Sequence, residues 1–521
     1  MSRAMVNINE HGYLMTLEKS KMKRKLVLAS IVWLLWLGWS RADALAADES
    51  RPNVVLILTD DQGWGDIGCQ NPDSKIATPN MDRLASEGLR MLNAYTPASV
   101  CSPTRYGLLT GRYPWRTWHK EGVLYHYDPS LIRPGRLTLG TLFQRLGYVT
   151  GAMGKWHLGL DWQPRPDDPG DWMAGQAVRY ADMSRIAARI DFGKPINVGP
   201  NQVGFDEFFG TAHQGIDQVV IRNNRRLPDF RTLPSNHDDL FVDHAIRFVT
   251  EHRREQPDRP FFVYLPLGSP HHGRDAPERW KGKSGDGIRG DRIQWADESV
   301  GRILEFLDEE GVAENTLVVL TSDNGPIDNL RSPGGNPNHR PQGPYRGFKT
   351  DAWEGGFRVP LIVRWPGKIA AGQVANQVVC STDLLATLAE VTEVALPRWA
   401  AEDSFSMLSA WLGGQAPTRD HVVLQTYTGI LAFREGRWKL ILGTEGSGGH
   451  QGASPDWLPN QTGWDRITNI AVGQLYDLES DPYERSNVFS QHPDIVARMR
   501  SRLEEIVHAD RSRPMESPPS R

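Results

Sequence analysis

The sequence predicts an α/β protein with a large, mostly parallel central sheet covered by helices on both faces, followed by a smaller C-terminal α+β region with an antiparallel sheet. Three observations carry that expectation. Near-continuous apolar runs end in polar residues, as strands of a parallel sheet buried on both faces do. Amphipathic helical patterns separate those runs. Near residue 415 the texture changes to short, turn-separated strands.

The first run, NVVLILTDD after Arg51-Pro52, ends in two acids, and ligands of open α/β sheets sit at such strand ends. The same pattern returns at residues 260–267, 316–325 and 359–365, with helical patterns at 78–88, 138–147, 237–252 and 293–311 between the runs. Residues 422–426, 429–433 and 438–442 read as short strands, and the tail 490–508 as a helix. A main domain is therefore expected over 50–414 and a smaller one over 415–510, without internal repeats. Segments 161–200 and 326–345 are rich in Pro, Gly and charge; loops that long in an enzyme are usually substrate-facing or mobile.

Among 521 residues, 59 basic side chains face 63 acidic ones, a net charge of −4. That balance leaves no basic stripe for a phosphate backbone, so no nucleic-acid partner is expected. Three cysteines, Cys69, Cys101 and Cys380, are too few for a disulfide framework, and one must stay unpaired. Whether Cys69 and Cys380 pair is open at this level.

Residues 1–46 read as a secretory signal: KSKMKRK, then an apolar run over 26–39, then SRADALAA with a cut at Ala44 or Ala46. The run is shorter than the ~20 residues of a membrane span, so no stable span is expected after cleavage; a retained N-terminal anchor is the alternative. Residues 1–21 look surplus, with Met22 as the start. The expectation is export, periplasmic or extracellular.

Residues 99–111 read SVCSPTRYGLLTG. A cysteine where a helix begins is a candidate nucleophile, with Arg105 as an anion partner; a buried structural cysteine competes with that reading. The string also resembles the C-x-P-x-R signature of the type I sulfatases, whose cysteine is oxidised to formylglycine (3-oxoalanine), and Cys101, Pro103 and Arg105 fill it. GYVTGAMGKWHLG at 147–159 resembles the second family signature, with Lys155 and His157 in the functional places and Met153 as a small departure. Asp60 and Asp61, Asp323 and Asn324 in SDNG, His271 after proline, Lys349 in GFKTDAWEGGFRVP and the C-terminal LYDLESDPYERSN follow in family order. Nearly the whole mature chain thus resembles the arylsulfatase A-like branch of the alkaline phosphatase superfamily, which implies its fold.

The residue chemistry agrees with the resemblance. Three carboxylates and an amide oxygen, Asp60, Asp61, Asp323 and Asn324, together with the modified Cys101, make a hard oxygen site that suits Ca²⁺ ahead of Mg²⁺ and not zinc. Arg105, Lys155 and Lys349 can face sulfate oxygens. As the resemblance implies, hydrated formylglycine at 101 attacks sulfur while His271, with Lys349, protonates the departing alcohol. His157 then takes the proton of the second hydroxyl and sulfate is expelled from the covalent sulfo-enzyme. A formylglycine-generating enzyme is the implied maturation partner, and a sulfate ester, carbohydrate or aryl, the implied substrate.

Blander readings exist for single residues. Asp60 and Asp61 alone are a turn and cap signal, and the SPHHG string permits His272 in place of His271. Trp115, Trp118, Trp162, Trp172 and Trp353 hint at sugar stacking, but core packing is the expected fate for most of them. Asn460-Gln461-Thr462 fits a glycosylation acceptor. The competing functions are a phosphate or phosphonate ester hydrolase of the same superfamily and an inactive protein that binds sulfated glycans.

Overall fold

A computed structural model describes residues 51–173, 182–213, 219–228, 236–271, 275–443 and 473–514. The expected signal segment, His272 and the 460–462 acceptor lie outside these residues. From Arg51 onward the chain forms one compact unit.

Its large sheet has ten strands: β1 Asn53–Asp60, β2 Leu89–Tyr95, β3 Val149–Lys155, β4 Glu207–Thr211, β5 Val220–Arg222, β6 Arg225–Arg226, β7 Phe261–Pro270, β8 Thr316–Ser322, β9 Leu361–Arg364 and β10 Gln373–Cys380. They are ordered β10-β2-β9-β8-β1-β7-β3-β4-β5-β6. The central run from β8 to β4 is parallel throughout. A parallel strand needs cover on both faces, and β1 has it. Its alternate residues Val54, Leu56 and Leu58 join one apolar cluster, while Val55 and Ile57 join another.

Six helices supply most of that cover: α1 Pro79–Ser86, α2 Cys101–Thr110, α3 Leu139–Arg145, α4 His237–Glu255, α5 Gly287–Glu309 and α6 Leu384–Val391; a seventh, α7 Pro493–His508, lies on the second sheet. Leu108, Leu142 and Leu385, from α2, α3 and α6, pack into the first cluster. Leu84, Phe241 and Leu304, from α1, α4 and α5, pack into the second. Helix α1 begins with proline, whose missing N–H costs nothing in the first turn.

The second sheet is antiparallel, β11 His421–Gln425, β12 Leu431–Glu435, β13 Trp438–Ile441 and β14 Gln474–Asp477 in sequence order. One face packs on Val496, Met499, Leu503 and Ile506 of α7, a single stripe at helical spacing. The other face packs on Tyr95, Trp353, Phe357 and Cys380 at the rim of the large sheet.

One expectation changes, and two open readings close. The run at 359–365 is a strand, but β9 is antiparallel to both neighbours. Between β8 and β9 the only α-helix is the single turn Glu354–Phe357, so no crossover carries the chain back across the sheet, and it re-enters at the end it left. Cys69 and Cys380 are free thiols, and burial pushes them up to about 12 and about 11. Trp115, Trp162, Trp172 and Trp353 are buried and Trp118 packs on the core, so these rings serve packing.

Candidate active site

The carboxyl ends of β8, β1, β7 and β3 lie side by side, and each delivers chemistry to one place. Asp60 ends β1 and Asp61 follows it; Asp323 and Asn324 follow β8; His271 follows β7; Lys155 ends β3, with His157 two residues on. Cys101 is the first residue of α2, and Lys349 comes from the loop between β8 and β9. Sequence reasoning placed all ten residues in one site, and the fold brings them together.

Strand β3 is rich in small residues because its neighbour crowds it. A Cβ on Gly154 would lie 1.9 Å from the Pro266 carbonyl oxygen of β7, and its φ of 141° also favours glycine. Asp61, His157 and Thr350 adopt positive φ of 66°, 59° and 79° without being glycine. Such backbones cost about 1–3 kcal/mol each and persist where surroundings over-determine them. The Lys349 and Thr350 amides donate to the carbonyls of Pro326 and Ser99 at 2.7 and 2.8 Å, which pins that segment.

Each buried carboxylate has its own cation. Lys155 Nζ donates to Asp60 Oδ2 at 2.6 Å. Lys349 Nζ lies 2.7 Å from Asp61 Oδ1. Arg105 gives Nε and Nη2 to Asp323 Oδ2 at 3.0 and 2.7 Å. Arg105 Nη1 also donates to the Lys155 carbonyl at 2.7 Å, so this fully buried guanidinium ties the ends of β8 and β3 together.

Burial alone would raise Asp61, but Lys349 and His271 outweigh it and hold the carboxyl well below its usual range. Burial also opposes the charge of Lys349, yet Asp61 wins and raises it. Asp323 loses the competition: burial and the neighbouring Asp60 push it up to about 6 despite Arg105 and Lys155. Three carboxylates this close repel one another, and a divalent cation among them would relieve that repulsion.

The donor set fits such an ion. One ligand atom from each of Asp60, Asp61, Cys101 and His271 lies within 4.8 Å of the others. Asn324 Nδ2 donates to Asp61 Oδ1 at 2.7 Å, which leaves its buried Oδ1 without a hydrogen-bond partner and able to accept from an ion. Asp323 borders the cluster, with Oδ1 accepting the Asp61 amide at 3.1 Å.

Cys101 Sγ sits 3.6 Å from Asp60 Oδ1. A helix N-terminus favours a thiolate, but burial and Asp323 dominate and push the thiol well above its usual range. His157 Nε2 lies 2.7 Å from the Leu124 carbonyl, which can only accept, so Nε2 carries the proton and Nδ1 is bare. That Nδ1 is buried without a hydrogen-bond partner. Ser102 Oγ in turn accepts the Leu124 amide at 3.1 Å, so the residue after Cys101 places the carbonyl that orients His157. Burial, Lys155 and His213 hold His157 well below the usual imidazole value, so it is neutral. His271 is the outward member, with Nε2 3.7 Å from Asp61 Oδ2 and its side chain 14% exposed.

Sequence reasoning missed His213. It stands two residues beyond Thr211, which pairs in register with Lys155, as His157 stands two beyond Lys155. Its ring lies 4.4 Å from that of His157. A strand assignment at 207–211 would have exposed this symmetry.

The model of the Sulfatase family matches residues 52–394. The chain is 32% identical over 501 residues to the N-acetylgalactosamine-6-O-sulfatase of Bacteroides thetaiotaomicron, covering 88% of this chain and 94% of that protein. It is 32% identical to arylsulfatase A of Homo sapiens, across 84% of this chain and 83% of that one. A solved 6S-sulfatase of Bacteroides thetaiotaomicron, described with the metabolism of multiple glycosaminoglycans, superposes with a TM-score of 0.72 at 28% identity, covering 88% and 99% of the two chains. The phosphonate monoester hydrolase of Agrobacterium radiobacter shares the fold, with a TM-score of 0.55 at 18% identity over 88% of this chain and 95% of that one. With a family model spanning most of its length and relatives matched nearly end to end, this chain belongs to the type I sulfatases of the alkaline phosphatase superfamily and is a sulfatase enzyme.

Proposed function

We propose that the protein is an exported hydrolase of carbohydrate sulfate monoesters that uses a formylglycine made from Cys101 and a calcium ion. The observation that carries this reading is the set of three buried carboxylates, each paired with its own cation, around a cysteine at the start of α2. Asp60, Asp61, Asp323 and Asn324 would hold the ion, which supplies positive charge against the sulfate oxygens. Formylglycine, once hydrated, supplies two hydroxyls on one carbon as nucleophile and as the group that later releases sulfate.

The chain's own residues do the rest. Lys155 and Lys349 bring their ammonium groups to the cluster, positioned by Asp60 and Asp61. His157 presents a neutral, bare Nδ1, an acceptor for a hydroxyl proton at residue 101. His271, on the solvent side, donates a proton to the departing alcohol. Arg105 holds Asp323 and the Lys155 carbonyl in register.

The relatives named above make 6-sulfated N-acetylgalactosamine the first substrate to try. Export is read from residues 1–46, and no helix among the described residues is long and apolar enough to cross a membrane. Residues 415–510 are proposed as a C-terminal subdomain. Protein co-produced with a formylglycine-generating enzyme is expected to release sulfate from that sugar and to lose the activity in Cys101→Ala. Faster release of phosphate from a matched phosphate ester would favour the phosphatase reading.

A further inference from the structure

We propose that a second pocket, between residues 64–75 and 337–344, binds a sugar ring of the substrate chain beyond the one that carries the scissile sulfate. The inference rests on the carbohydrate-sulfatase reading above and extends it to chain length.

The two walls leave the carboxyl ends of β1 and β8, the same edge that holds the active site. Trp64 follows Asp61 by three residues, so their Cα atoms are at most about 11 Å apart. Between them Gly63 is pressed onto the other wall: a Cβ there would lie 2.0 Å from the Pro341 carbonyl oxygen and 2.6 Å from Pro326 Cγ. Pro326 is the residue whose carbonyl accepts the Lys349 amide at 2.7 Å. The segments that line the pocket are thus packed against those that carry Asp61 and Lys349.

The pocket holds about 680 Å³ and is lined by Trp64, Gln70, Asn71, Lys75, Asn338 and Arg340 among others, a size typical of small-molecule sites. Its floor is rigid. The buried carboxylate of Asp66 accepts Arg289 Nη1 and Nη2 at 2.8 and 2.6 Å and His339 Nε2 at 2.9 Å. His339 Nδ1 accepts the Lys75 amide at 3.3 Å, which fixes the proton on Nε2 and clamps the two walls together. The Gly65 amide donates to the Pro341 carbonyl at 2.7 Å, and Asn71 Nδ2 donates to the Gly65 carbonyl at 2.9 Å.

Gln70 points to the ligand. It is only 5% exposed, it lines the pocket, and neither its amide nitrogen nor its amide oxygen has a hydrogen-bond partner. A buried primary amide without partners is rare. The indole nitrogen of Trp64 is likewise buried and unpartnered. A ring bearing hydroxyls offers both a donor and an acceptor to such an amide. Two cations, Lys75 and Arg340, against one carboxylate, Asp73, favour a ring that also carries an anionic substituent.

The test compares matured wild-type protein with Gln70→Leu on 6-sulfated N-acetylgalactosamine and on a chondroitin 6-sulfate tetrasaccharide. The variant is expected to raise KM for the tetrasaccharide about tenfold, the scale of one lost hydrogen bond, with kcat and the monosaccharide kinetics within twofold. Its Tm should not fall, because no hydrogen bond within the protein is removed. Lys75→Ala, at an exposed position, should give the same split if Gln70→Leu fails to fold. Equal losses on both substrates, or none on either, would overturn the proposal. If wild type cleaves neither substrate, the functional reading fails by itself. Calorimetric titration with the desulfated tetrasaccharide then decides the pocket: weaker binding by the variants supports it, and unchanged or absent binding overturns it.

Discussion

The imidazoles of His157 and His213 stand 4.4 Å apart and nearly perpendicular, at 84°, each two residues past the register pair Lys155 and Thr211. Both are held neutral by burial, with Lys155 adding to the effect on each. The active site thus contains a base that takes up protons reluctantly until one is released beside it.

This neutrality sets the pH response of activity. The acid limb of kcat/KM is expected below pH 6.5, the unperturbed imidazole value, because His157 stays unprotonated there. His157→Gln should lower kcat by about 10²–10⁴-fold. A pH–rate profile of the matured enzyme checks both, and an acid limb at or above 6.5 would contradict the neutral assignment.

Stability should follow the same sign. Burial holds His119, His157 and His213 all below the usual imidazole value, with His119 lowered to about 4. The unfolded chain binds their protons first, so stability is complete above about pH 6.5 and is lost as pH falls from there toward the folded values. Each contributes up to about 1.4 kcal/mol per pH unit in that window. His119→Gln should flatten the Tm profile between pH 6.5 and 4; an unchanged slope would contradict this.

Arg105 is expected to matter through position. Arg105→Met leaves Asp323 buried and unpaired, at a cost of about 3–5 kcal/mol. Adding Asp323→Asn should recover part of that loss, because the uncompensated carboxylate goes with it. Chemical denaturation of the single and double variants measures the coupling, and strict additivity would contradict the paired geometry.

Removing the metal should cost both stability and turnover. Chelation is expected to lower Tm and abolish sulfate release, with Ca²⁺ restoring both. Asp61→Asn should behave like the chelated enzyme at ordinary ion concentrations. Full activity in excess chelator would contradict the oxygen-donor site.

Much of this architecture was legible because burial writes itself into sequence. Strands β1, β7 and β8 lie in the middle of the sheet and are covered on both faces, so they appear as unbroken apolar runs. The ten site residues were legible from their signatures. Strand β3 was not read as a strand, because Gly151 and Gly154 are set by the approach of Phe248 and Pro266 and carry no strand propensity. The direction of β9 depends on a connection without a crossover helix, which its own apolar residues do not encode. The Asp66–Arg289–His339 clamp joins segments more than 200 residues apart, and no local pattern announces it.

The central claim is the conversion of Cys101, and the mass of the tryptic peptide 91–105 tests it most directly. In protein from its native host, or co-produced with a formylglycine-generating enzyme, the peptide should carry an aldehyde where the thiol was. A free thiol at Cys101, in cells that mature another sulfatase, would contradict the proposed nucleophile and raise the sulfated-glycan-binding reading in its place.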